Sequence, residues 1–116
     1  MLERRHVEAQ LIGPAVQIRV LTEAIGADQA DALADDVIDV MTALGPRAVI
    51  DFAAVRSIAS AGFGALVRIH NNAKDNHGAV AFYNCTPNLA EGLKITRLNR
   101  LFKVAKNEAA AVKAVT

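Results

Sequence analysis

Read along the chain, the sequence predicts one α/β domain spanning residues 1–116, with a mixed, mostly parallel sheet of about five strands and about four packed helices. Three observations carry that prediction. Two strand-like runs flank a Gly13-Pro14 turn and make an antiparallel edge. Residues 28–44 hold an apolar stripe at helical spacing. From residue 48 onward, short apolar runs alternate with helical segments, the order expected of parallel β–α units. A chain of 116 residues has room for a single core. At that size a domain buries roughly two-thirds of the surface its unfolded chain exposes, enough to stand without staples.

The first two strands are residues 6–12 and 15–21; in the second, Val16, Ile18 and Val20 alternate with Gln17 and Arg19. In the helix at 28–44, Ala30, Leu33, Ala34, Val37, Met41 and Leu44 share one stripe. Asp31, Asp35 and Asp39 take the opposite face, which reads most simply as solvated, with a cation or a basic partner as the alternative. Asp28 is the expected cap and Gly45-Pro46 the stop. Residues 48–52 form a short apolar strand of the buried parallel kind. A helix over 61–76 follows, with Ala65, Leu66, Ile69 and Ala73 facing inward, and then a strand over 79–84. Thr86-Pro87 opens a third helix, with proline at the first helical position. Residues 101–104 make the last strand, and Asn107 caps a closing helix through Val115.

Composition removes several classes of function. The N-terminus is charged and lacks an apolar signal core, and no run approaches the ~20 apolar residues of a membrane helix, so a cytoplasmic protein without direct membrane insertion is expected. The single cysteine, Cys85, forms no internal disulfide and suits a reducing compartment. A formal net charge of +1, bases that read as scattered, one tyrosine and no tryptophan argue against nucleic acid and give no general drive toward anionic membranes. His6, His70 and His77 have no Cys or carboxylate at metal-ligand spacing, so neither a metal nor an obligatory cofactor is expected.

The connection between the buried strand and the second helix, residues 55–64, lies at the carboxyl end of a strand, where α/β sheets carry their functional loops. Ser60 falls where the helix begins, so its hydroxyl is placed to cap free N–H groups. Gly62 and Gly64 fall in the first turns, each costing about 1 kcal/mol relative to alanine. Glycine there makes sense where another backbone or a partner surface must come close. A serine at a strand–helix turn also has the place of a hydrolase nucleophile. However, Ile58 stands where that motif needs glycine, and Asp75 and His77 lie ~20 Å along the helix, so no triad closes and an enzyme is not expected.

The stretch Val49-Ile-Asp-Phe-Ala-Ala-Val-Arg-Ser-Ile-Ala-Ser-Ala-Gly-Phe-Gly-Ala-Leu66 resembles the signature of STAS domains, in which a strand ending Asp-Leu/Phe leads into Asp-Ser-Ser-Gly-Leu-Gly and a helix. Asn84-Cys-Thr-Pro87 and Leu93-Lys-Ile-Thr-Arg-Leu98 resemble that family's Asn-x-x-Pro and Ile-Thr-Gly-Leu segments. The likeness runs from about Val7 to the C-terminus. Ala59 stands in place of the family's acid, Ala61 in place of its second serine and Arg97 in place of its usual glycine.

The resemblance implies a bacterial anti-sigma factor antagonist. Such a module regulates sigma-factor-dependent transcription by reversibly binding an anti-sigma factor that is often a serine kinase. It implies that Ser60 is the phosphoacceptor and that a phosphatase reverses the mark; Ser57, a second hydroxyl in the same loop, is the alternative acceptor. The implied partner-binding surface comprises Ser57, Ala59, Ser60, Ala61, Gly62, Phe63, Gly64 and Arg68. As a cap alone, Ser60 would be worth ~1 kcal/mol; cap and phosphoacceptor are compatible. Ala59 and Ala61 motivate a second reading, a constitutive STAS subunit of a larger assembly such as a lipid-transport ABC complex or a stress-signalling scaffold. A small-ligand sensor ranks behind both, since Gly62-Phe-Gly64 is the single candidate phosphate-cradling segment. Oligomeric state is left open.

Overall fold

Gly13 has φ of 59°, a left-handed conformation that costs glycine nothing, and it turns β2 (Val7–Ile12) back on β3 (Ala15–Val20). The computed structural model describes residues 2–116. The other strands are β1 (Leu2–Glu3), β4 (Ala24–Ile25), β5 (Arg47–Asp51), β6 (Ser57–Ile58), β7 (Ala79–Tyr83) and β8 (Lys103–Val104). The helices are α1 (Ala27–Leu44), α2 (Ser60–Asp75), α3 (Pro87–Ile95) and α4 (Glu108–Val115), with a 3₁₀ turn at Leu98–Arg100. Six strands form one sheet in the order β1-β2-β3-β5-β7-β8; β1–β2 and β2–β3 pair antiparallel and the rest parallel. The single α/β domain and mixed sheet expected from the sequence are what the chain adopts.

The sheet carries two unequal layers. On one face α1, α2 and α3 bury Leu33, Val37, Leu66, Ile69, Leu89 and Leu93 against Val16, Ile18, Ile50 and Phe82. On the other face α4 alone sets Ala111 and Val115 over Ala15, Val49, Ala81 and Tyr83. Phe52, Phe82 and Phe102 stack edge to face, with ring centroids 5.2 and 4.8 Å apart, and lock β8 to the core.

Several local expectations are corrected. α1 begins one residue earlier than expected, with Gly26 as its N-cap; Gln29 Oε1 accepts from the Gly26 N–H at 3.0 Å. Asp28 therefore sits inside the first turn, where its charge meets the positive end of the helix dipole without capping it. The last strand is shorter than residues 101–104, because 98–100 wind into the 3₁₀ turn. β1, β4 and β6 are two-residue strands without a sequence signal of their own.

Candidate functional site

The β5–α2 connection is built by its neighbours. Asp51, at the end of β5, is 6% exposed, and its Oδ1 accepts from the Ala53 N–H (2.8 Å) and the Asn84 side-chain amide (3.2 Å). Arg19 Nε lies 3.6 Å from the other carboxylate oxygen. One buried carboxylate thus ties the loop after β5 to the loop after β7. Thr86 Oγ1 donates to the Val55 carbonyl (2.7 Å) and the Asn88 amide donates to the Arg56 carbonyl (3.0 Å). From the other side, the Arg56 and Ser57 N–H groups donate to the Glu23 carbonyl (2.7 and 3.2 Å), and the Ala59 N–H donates to Ile25 (2.9 Å). β4 and β6 pair in parallel there, Ala24 with Ser57 and Ile25 with Ile58. The loop has little freedom left.

That last bond decides where α2 starts. Held to Ile25, Ala59 is extended (φ −89°, ψ 170°) and becomes the N-cap. Ser60 is then the first helical residue and not the cap, a correction to the sequence reading. Its side chain is exposed, and its hydroxyl makes no hydrogen bond among the described residues. The Gly62 N–H is taken by the Ala59 carbonyl at 2.8 Å.

The predicted site residues divide by direction. Ser57, Ala59, Ser60, Ala61, Gly64 and Arg68 are exposed, whereas Gly62 is buried and Phe63 half-buried. A Cβ on Gly62 would lie 2.9 and 3.0 Å from Ile25 Cγ2 and O and would run into Ile58, so this glycine serves the contact of α2 with β4 and β6. Phe63 lies against Gly92 of α3, where a Cβ would strike its ring. A Cβ on Gly64 would meet nothing within 4 Å. The internal packing explains one glycine and leaves the other without a structural reason. Arg68 pairs with Asp35 of α1, so its charge is already engaged. Gly64, Arg68, Val67, Asn71, Asp75 and Ile38 line an open groove of about 540 Å³ between α1 and α2.

The remaining candidates are accounted for by packing. Burial pushes the Cys85 thiol up to about 11, away from nucleophilic use. Tyr83, under α4, shares hydrogen bonds with Gln17 and Glu108 (3.0 and 3.3 Å), and burial above all pushes its phenol up to about 12. His6 Nδ1 sits 2.9 Å from Asp36, and the His70 ring packs against Phe102. Among the described residues no three His, Cys, Asp or Glu side chains gather as a metal site, and no helix is long and apolar enough to cross a membrane.

A chain with this sheet order, this two-stranded brace and a serine at the mouth of α2 can be compared with known families. The STAS domain model matches residues 6–111. The chain belongs to the STAS domain family. Among solved structures it is similar to a Thermotoga maritima protein described as an anti-sigma factor antagonist (TM-score 0.82, 18% identity, 96% of this chain and 95% of that one). It is also similar to an anti-sigma factor antagonist from Mycobacterium paratuberculosis (0.78, 19%, 94% and 92%). A third likeness is to the Bacillus cell fate determinant SpoIIAA in its phosphorylated form (0.66, 13%, 93% and 98%). A search of curated proteins finds no match.

One feature of this STAS domain escaped the sequence reading. Five of the thirteen bases are massed on one segment. Lys94, Arg97, Arg100, Lys103 and Lys106 fall between Gly92 and Asn107 with no acid among them. Glu23, Asp28, Asp31, Asp35, Asp36 and Asp39 fall between Leu21 and Pro46 with no lysine or arginine. The signal was present in the residues, but a net charge of +1 sums it away.

Proposed function

We propose that this STAS domain is an anti-sigma factor antagonist. It binds an anti-sigma factor serine kinase through the exposed start of α2, and phosphorylation of Ser60 releases that partner. The observation that carries the reading is an exposed hydroxyl, free of internal hydrogen bonds, on a rigid helix mouth. Ser57, Ala59, Ala61 and Gly64 surround it as the contact face, with Gly62 and Phe63 fixing the turn from within. Phosphate adds about −1.5 to −2 charges. A helix N-terminus accommodates an anion, so the fold tolerates the mark. A partner seated over Ala61 and Gly64 would have to bury that charge unpaired, a cost of several kcal/mol.

The test is incubation with the cognate anti-sigma kinase and ATP. Wild type takes up phosphate and Ser60→Ala does not; incorporation unchanged in Ser60→Ala removes Ser60 as the switch, with Ser57→Ala the next variant to examine. Ser60→Asp is expected to weaken capture of the anti-sigma factor by at least about a hundredfold. Ala59 supports the second reading, a constitutive STAS subunit, because the N-cap position carries no carboxylate to orient the serine or meet a kinase. A stable complex with a transporter ATPase or scaffold, unchanged by Ser60→Asp, would decide for it.

A further inference from the structure

The segment from the end of α3 through the 3₁₀ turn to β8 carries more charge and more exposed apolar surface than its place in the fold requires. Lys94, Arg97, Arg100, Lys103 and Lys106 are all exposed. Among the described residues none of them has a carboxylate within ion-pairing distance; the ion pairs of this chain use His6, Arg19 and Arg68. Between these cations stand Ile95, Leu101 and Val104, which are 72%, 43% and 46% exposed.

Local structure accounts for only part of this. Lys94 lies in the last turn of α3, where a cation meets the negative end of the dipole. Lys103 is on an edge strand, where lysine discourages pairing with another chain, and its Nζ donates to the Ala114 carbonyl at 3.0 Å. Neither argument reaches Arg97, Arg100, Lys106 or Ile95. Arg97 is notable because it adopts φ of 62° just past the end of α3. Glycine is the unstrained residue at such a position, and an ordinary side chain there costs on the order of 1 kcal/mol.

We propose that this segment docks the domain on an anionic phospholipid surface, with Ile95 entering the headgroup region, Lys94, Arg97 and Arg100 beside it, and Lys103 at the β8 edge. The site is peripheral and needs no spanning helix. An isoleucine this exposed at the tip of a helix is a plug, suited to a soft interface. Single-stranded nucleic acid fits less well, because the segment's one aromatic ring, Phe102, is buried and cannot stack on bases, and the phosphate backbone of a duplex gives the exposed Ile95 no apolar phase to enter. The charge layout also sets an orientation. α1, with its five aspartates, packs over β2, β3 and β4, while β8 is the opposite edge of the sheet. Docking by β8 therefore holds the acids away from a negative surface. The N-terminal end of α3 holds the Ser60 loop through Asn88, and Ile95 is at the other end, ~12 Å along the helix. Lipid docking thus leaves Ser60 open.

Each cation near an anionic surface is worth roughly fivefold in partitioning, attenuated by salt. The test is co-sedimentation of the full chain with vesicles of phosphatidylcholine, and with an equal mixture of phosphatidylcholine and phosphatidylglycerol. Binding is expected to the mixed vesicles at low salt, and not to pure phosphatidylcholine or in molar salt. Arg97→Glu with Arg100→Glu should lower it at least ~25-fold, and Ile95→Ser severalfold. Arg47→Glu, an exposed reversal at the start of β5, should leave it unchanged. The proposal is overturned by failure to bind the mixed vesicles, or by a double variant that binds as wild type. It is equally overturned by an Arg47→Glu loss as large as that of the double variant, or by protein that ignores vesicles and is retained on polyglutamate or duplex DNA.

Discussion

The two ends of α3 are built on opposite plans. At its N-terminal end, the loop from Asp51 to Ser60 is stitched by backbone and side-chain hydrogen bonds to β4, to the β7–α3 turn and to Arg19. The face it shows around Ser60 is small and carries one exposed cation, Arg56. Around its C-terminal end, the stretch from Lys94 to Val104 carries four cations without an ion-pair partner among the described residues and three exposed apolar side chains. The first region is rigid and nearly neutral, so adding one charge to it changes everything a partner meets. The second already has its charge, and salt is what would modulate it. Recognition by shape and recognition by charge are thus kept apart on one short helix.

The comparison can be broken most forcefully where the rigid end is packed tightest. Gly62→Ala forces a methyl against Ile25 and Ile58, and should destabilise the fold by about 2 kcal/mol in denaturant unfolding. No loss would mean that the β4–β6 brace yields, and that the loop is not pre-organised. Asp51→Ala leaves the Ala53 N–H, the Asn84 amide and Arg19 without their acceptor. It should cost about 2 kcal/mol and speed amide exchange in both loops at once. Exchange raised in only one loop would show that the two are not coupled through this carboxylate.

Gly64→Ala sharpens the contrast within the same helix. With nothing within 4 Å of the new methyl, the variant should be more stable by up to about 1 kcal/mol, yet bind the anti-sigma factor less well. Tighter or equal binding would remove Gly64 from the contact face. The smallest effect concerns His70, on the α2 flank of the basic region. Burial first, then Lys74 and Lys103, hold its pKa below 6.5. A histidine whose folded pKa is lowered contributes stability that is present above pH 6.5 and is lost as pH falls through the lowered value. Thermal midpoints measured on either side of that pH should drop on acidification in wild type, and drop less in His70→Gln.

Elements with long periodic patterns were legible in the residues. The stripe from Ala30 to Met41 located α1 because helical burial repeats along 18 residues, and Pro87 marked the start of α3 because proline has no N–H to lose there. β4 and β6 were not legible. Each is two residues long, and they pair across more than thirty positions of chain, so neither carries a pattern of its own. The shift of the α2 cap from Ser60 to Ala59 has the same origin, since the Ile25 carbonyl that fixes it belongs to β4.

By itself, then, the order of apolar runs and breakers determined an α/β domain with one serine-bearing loop at a strand end, because burial periodicity and turn chemistry are local properties. Only the tertiary structure decided that Ser60 stands free in solvent, that Gly62 answers to Ile25 while Gly64 answers to nothing inside, and that Arg68 is engaged by Asp35. Those outcomes depend on which distant backbone or side chain arrives at a given point in space. No spacing along the chain encodes that, because it is settled only when the sheet closes its core.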